Sequence, residues 1–146
     1  MGIDPDTAGP ERYVCFRLAR VMRKVQKYYE GPMAAHGITP GQFYVLNALW
    51  VTDGMKFKEL AKSVDIDGST LTGILDRMER GGFIQRRDDP EDRRSLLVFL
   101  TDKGREAGPE LIRLAEKLDR EVRGQFPREE WEIFLRVLDR LSVPGV

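Results

Sequence analysis

Cysteine and histidine are almost missing from this sequence: Cys15 and His36 stand alone among 146 residues. One cysteine excludes an internal disulfide and a cysteine-based zinc site. One histidine leaves any metal cluster to carboxylates, so neither a metal nor a cofactor is expected. Net charge is missing too, with 24 Lys+Arg against 24 Asp+Glu. Phosphate contacts need cations, so neutrality argues weakly against nucleic acid unless the basic groups are concentrated locally. No apolar run approaches the roughly 20 residues that cross a bilayer, which leaves the membrane out as a partner. The opening "MGIDPDTAGPER" lacks a basic segment followed by an apolar one, so no signal peptide is read and a cytoplasmic location is expected. There is no nucleophile–base pair of recognisable spacing and no glycine-rich phosphate loop after a strand, so an enzyme is not expected.

What is present is helical periodicity. Val14, Leu18, Val21, Met22, Val25 and Tyr29 recur at helical spacing. Residues 12 to 30 also hold six basic side chains against Glu30 alone, so neutrality is a compensation between segments. Pro32 in "EGP" is expected to interrupt or kink that helix. In "ITPGQFYVL", Thr39 reads as an N-cap, Pro40 as the first helical residue and Gln42 as the return partner of a capping box. "MKFKELAKSVD" reads as a short third helix. In "DIDGSTLTGILDRMERGG", Asp67 is the N-cap, Leu71, Ile74, Leu75 and Met78 form one apolar face, and Gly81-Gly82 supply the left-handed stop. "FIQRR" and "LLVFL" are strand-like runs flanking a loop that contains Pro90. Thr101 caps a further helix, which Pro109 is expected to bend or restart, and a last helix begins at Pro127.

Two short helices joined by the tight turn "VDIDG" and followed by a hairpin describe a winged helix-turn-helix. The second helix of such a pair enters the major groove with its N-terminal residues at the base edges. Its outer face carries Ser69, Thr70, Thr72 and Gly73, small enough for close approach, with Arg77 nearly two turns on. A polar outer face serves equally well as a solvated surface, so helix pattern alone leaves both readings open.

The hairpin tip "DDPEDRRS" places Asp88, Asp89, Glu91 and Asp92 beside only Arg93 and Arg94. Its surroundings, "GGFIQRRDDPEDRRSLLVFLTDKG", resemble the MarR family of transcriptional regulators. The pattern comprises Gly82, Phe83, Ile84, Arg86, the Asp-x-Arg run Asp92-Arg93-Arg94, then Leu100-Thr101 and Gly104. "ITPGQFYVL" and "ELAKSVDIDGSTLTGILDRMER" also fit, so the resemblance covers about Arg12 to Leu141. It implies one domain over 1–146, mainly α with a small β-hairpin wing. A winged helix-turn-helix lobe would span about 38–101, with dimerisation helices over about 12–36 and 102–142. It implies a homodimer binding double-stranded DNA at a pseudo-palindromic operator, most commonly as a repressor released by a small ligand. Arg94 would enter the minor groove, Asp92 would accept its guanidinium and hold it extended, and Arg93 would touch phosphate. Asp88, Asp89 and Glu91 would face solvent.

The resemblance further implies a lipophilic or phenolic ligand, for which Tyr28, Tyr29, Met33, Phe43 and Trp50 are candidate lining residues or simply core. Cys15 is similar in place to the reactive cysteine of the family's organic-hydroperoxide sensors, with Tyr29 as a thiolate partner. Ala19 and Pro40 stand where the other tyrosines of that group are expected. The alternative of another class is a winged helix used only for protein contact, which fold alone does not exclude.

Overall fold

The computed structural model describes residues 2–143, and among them lie seven α-helices, a one-turn 3-10 helix and three strands. In chain order these are α1 (Val14–Ala34), α2 (Pro40–Val51), β1 (Met55–Lys56), α3 (Phe57–Ser63), α4 (Gly68–Arg80), β2 (Ile84–Asp89), β3 (Asp92–Leu100), α5 (Asp102–Glu106), α6 (Gly108–Arg123) and α7 (Arg128–Leu141). The fold is mainly helical with a small antiparallel sheet, as the element order implied. The chain divides into two compact units, one up to Leu111 and one from Ile112 on. No helix among the described residues is long and apolar enough to cross a membrane.

In the first unit, Leu46 and Leu49 of α2, Leu60 of α3, Leu71, Leu75 and Met78 of α4, and Ile84 and Val98 of the sheet are all buried. Each such side chain contributes roughly 1.5–3 kcal/mol by leaving water. This core is what holds α3 and α4 at a fixed angle beneath the hairpin. The local signals act as expected. Thr39 and Gln42 close a reciprocal capping box on α2, each bond 3.2 Å. At the end of α4, Gly82 lies at φ 79°. Gly82 N–H donates to Glu79 C=O and Phe83 N–H to Met78 C=O, both at 3.0 Å, which completes a Schellman stop. In the turn between α3 and α4, Asp65 takes a left-handed conformation (φ 52°) that aspartate tolerates better than most residues.

Three expectations are corrected or refined. α1 is not interrupted at "EGP": it runs through Pro32 to Ala34. Pro32 lies only two residues from the helix end, and the last turn is pinned by buried Met33, whose carbonyl also accepts from Ile38 N–H at 3.2 Å. Met55–Lys56 is not the start of α3 but a strand, pairing Met55 with Val98 and Lys56 with Leu97. Two residues carry no readable period, so only the partner strand defines them. The helix after Thr101 is two helices. Pro109 stands at the second position of α6, where its missing N–H breaks no helical bond. Trp50 fills the joint. Its Nε1 donates to Gly104 C=O at 2.9 Å, and its ring lies so close to Gly108 that a Cβ there would sit 3.2 Å from Cε2.

The second unit holds the rest of α6 and α7. Phe126, Trp131 and Phe134 form an aromatic cluster with centroid spacings of 5.9 and 5.1 Å, and the Arg123 guanidinium lies over Trp131.

Candidate nucleic-acid interface

The exposed face of α4 begins at its cap. Asp67 Oδ1 accepts from Thr70 N–H at 2.9 Å and from the Ser69 hydroxyl at 2.6 Å, while Oδ2 accepts from the Thr70 hydroxyl at 2.7 Å. Ser69 and Thr70 therefore have their protons committed to Asp67 and offer lone pairs outward, suited to accepting from a base amino group. Thr72 donates to Gly68 C=O at 2.9 Å, leaving its oxygen outward in the same sense. Gly73 is half-buried, and a Cβ there would meet only the Arg77 guanidinium at 3.9 Å, so the fold itself does not require glycine. Its bareness instead leaves room for an approaching surface.

The bonds from Ser69, then those from the Thr70 backbone and hydroxyl, pull the Asp67 carboxyl from 3.8 down to about 2. The folded-state value is depressed, so the cap's contribution is complete above the unfolded value near 3.8. It disappears as pH falls through about 2, because the native state must then give up the ionised acceptor. Asp67→Asn cannot ionise. Its deficit in Tm relative to wild type should be largest above pH 4 and narrow toward pH 2, a trend that thermal melts across that range will show or refute.

Arg86 is not available to a ligand. Its side chain is only 23% exposed and bridges Glu79 at 2.6 Å and Asp76 at 2.7 Å, while its own N–H donates to Glu79 at 3.2 Å. Bonds to Arg86 lower the Glu79 carboxyl, and those to Glu79 raise the Arg86 guanidinium. The basic strand noticed in the sequence thus fastens β2 to α4 and neutralises the two carboxylates on that helix. Arg87 lies over the Phe99 ring, and Arg105 is held by Asp102 and Asp53. Among the described residues, the guanidiniums of Arg77, Arg80, Arg93 and Arg94 have no hydrogen-bond or ion-pair partner.

The hairpin tip is built differently from expectation. Pairing steps from Asp88 opposite Leu96 to Asp89 opposite Asp92, so Arg93, Arg94 and Ser95 form a bulge without partners on β2. Both arginines are exposed there. Asp92 Oδ1 accepts from the main-chain N–H of Arg94 at 3.0 Å, and no ion pair joins the two side chains among the described residues. The aspartate thus shapes the backbone that carries Arg94 and leaves the guanidinium free. Asp89 corrects the sequence reading outright. It does not face solvent but is 4% exposed, with Oδ1 accepting from Glu91 N–H at 2.9 Å. Its Oδ2 is buried without a hydrogen bond, 3.8 Å from Lys56 Nζ on β1. Sequence reasoning missed Lys56 altogether, because nothing local links residues that meet only across a sheet.

The remaining candidates are not brought together. Cys15 is exposed near the start of α1 and Tyr29 is half-buried near its end, roughly 21 Å apart at 1.5 Å per residue. Within one chain they do not meet. Tyr28 packs edge-on against Tyr29, and Phe43 against Trp50. Met33 is buried. An open groove of about 730 Å³ is lined by Phe43, Tyr44, Ala48, Val51, Met55 and Val64 among others; of the proposed lining residues only Phe43 reaches it.

Comparison with known proteins follows the same outline. The model of the MarR family matches residues 38–96. The transcriptional regulator MgrA of Staphylococcus aureus is 31% identical over 106 residues, 72% of each chain. The transcriptional regulator TtmR of Methylorubrum extorquens is 34% identical over 100 residues, 68% of this chain and 51% of that one. The chain spans between about half and two-thirds of the length of the first curated relatives it matches, 51%, 57% and 64%. Among solved structures, Bordetella bronchiseptica BpsR, described by the regulation of its DNA binding by 6-hydroxynicotinic acid, superposes with a TM-score of 0.80. It has 26% identity and covers 89% of this chain and 98% of that one.

Proposed function

This chain belongs to the MarR family, and we propose that it is a dimeric, sequence-specific DNA-binding transcriptional regulator, a repressor released by a small lipophilic or phenolic ligand. The observation that carries the reading is the placement of unpaired cations. Arg86, Arg87 and Arg105 are engaged within the protein. Arg77 on α4 and Arg93 and Arg94 on the bulge are exposed and unpaired, flanking a face of small hydroxyl residues. Ser69, Thr70, Thr72, Gly73 and Arg77 would meet the major groove, Arg94 the minor groove and Arg93 a phosphate, with Asp92 setting the main chain between them.

Dimerisation is supported by exposed apolar stripes. Val14, Leu18, Val21 and Met22 line α1, and Ile133, Phe134, Val137 and Leu141 line α7. Surfaces of this kind mark protein–protein contact. A two-fold pair of lobes also places basic side chains at the DNA while the chain as a whole stays neutral. The ligand is supported by analogy with BpsR, whose DNA binding is regulated by 6-hydroxynicotinic acid. Thiol sensing through Cys15 and Tyr29 is the weaker reading, because Ala19 and Pro40 stand where the other thiolate-bonding tyrosines are expected. A protein-contact role alone does not account for the grouping of Arg77, Arg93 and Arg94 around the small hydroxyl face of α4.

Selection of bound duplexes from a random pool tests the reading. The enriched sequence should be pseudo-palindromic with half-site centres about 10 base pairs apart, bound more weakly as salt rises. No enrichment above background, or an enriched site without two-fold symmetry, would sink it.

A further inference from the structure

The bulge that carries Arg93 and Arg94 lacks ladder hydrogen bonds to β2, and loops of that kind are mobile unless something ties them down. Yet one charged side chain at its base is buried. Asp89 opposes Asp92 at the last paired position before the turn, with its Oδ1 holding the turn through Glu91 N–H. Its Oδ2 has no hydrogen bond and points within 3.8 Å of Lys56 Nζ. Lys56 belongs to β1, on the opposite edge of the sheet whose order is β1-β3-β2, and pairs with Leu97 of β3. The two side chains therefore meet over the central strand, beside the point where the bulge leaves it. Lys56 is also the residue that precedes α3, the first helix of the helix-turn-helix.

We propose that Asp89 and Lys56 form a strap across β3 that sets the position of the wing arginines relative to α4, so both are positioning residues for DNA recognition. This rests on the DNA-binding reading above. The Asp89 carboxylate is shielded from water while the Lys56 side chain is 47% exposed, so solvent screening of their attraction is reduced from the carboxylate side. Asp92 fixes Arg94 locally through its main chain; the strap fixes the whole tip to the body that carries the recognition helix. Neither residue needs to touch DNA.

The test uses Asp89→Asn, which keeps size and the Glu91 acceptor, Lys56→Met, the double variant and the conservative Lys56→Arg. Asp89→Asn and Lys56→Met should each weaken operator binding by roughly tenfold, within the range that coupled neighbours reach. The double variant should be no worse than either single, and Lys56→Arg should bind as wild type. Hydroxyl-radical footprints should lose protection where the wings lie in the minor groove while keeping it over the major-groove half-sites. In the protein alone, amide exchange at residues 92–95 should accelerate in Asp89→Asn with α4 unchanged. Additive losses, uniform loss of protection over both grooves, or unchanged exchange at the bulge would overturn the strap. If the wild-type protein binds no duplex, the functional reading fails, and the exchange measurement still decides the strap.

Discussion

Arg94→Ala should leave the protein folded and cost it most of its affinity for operator DNA. The side chain is exposed and its guanidinium has no partner, and surface substitutions of that kind change stability by about 0.5 kcal/mol or less. On the proposed reading, the same guanidinium would enter a groove whose negative potential is focused by narrowness. Losing one such contact costs about 1–3 kcal/mol. A two-fold complex contains it twice, so the loss should reach one to several decades on the same scale. The salt dependence should flatten as cationic contacts disappear. Melting temperature and gel-shift titration at two salt concentrations separate the effects. Wild-type affinity in a folded Arg94→Ala protein would show that the bulge does not contact DNA.

Gly104→Ala should do the opposite, damaging the fold before anything else. A Cβ at Gly104 would lie 2.2 Å from Phe83 C=O and 3.1 Å from Leu100 Cδ2. Neither neighbour can yield cheaply. Phe83 C=O accepts from Thr101 N–H at 3.1 Å, Gly104 N–H donates to Thr101 Oγ1 at 3.1 Å, and Gly104 C=O accepts from Trp50 Nε1 at 2.9 Å. The methyl must push main chain that several bonds already fix. Overpacking of this sort costs about 1–3 kcal/mol, and more where backbone must move. In a chain of this size, that lowers Tm by roughly 5–10 °C. Gly73→Ala is the control, since its added methyl meets only a flexible guanidinium end. It should stabilise α4 by about 0.5–1 kcal/mol. Equal melting temperatures for wild type and Gly104→Ala would refute the packing argument.

The two glycines look alike in the sequence and differ only in their surroundings, and the candidate site divides along the same line. Ser69, Thr70, Thr72, Gly73 and Arg77 share the outer face of α4 because a capped helix with a clean apolar stripe has one orientation against its core. That could be read from "DIDGSTLTGILDRMERGG". Arg86 and Arg94 could not be told apart by the same means. Both are arginines in a polar run near a turn, but one is clasped by Asp76 and Glu79 and the other is free. Asp89 and Asp92 divide in the same way, one buried toward Lys56 and one exposed and accepting from the main-chain N–H of Arg94.

The sequence alone determined the helices with their caps and stops, the hairpin, the winged helix-turn-helix order and the family, because these follow from interactions between residues near in the chain and from three short motifs read together. Only the tertiary structure decided that β1 exists, that α1 continues past Pro32, that α5 and α6 are separate around Trp50, and which charges are spoken for. Each of those depends on groups distant in the chain becoming neighbours. A charge is neutralised by whatever lies within a few ångströms of it, and one-dimensional order does not record that distance.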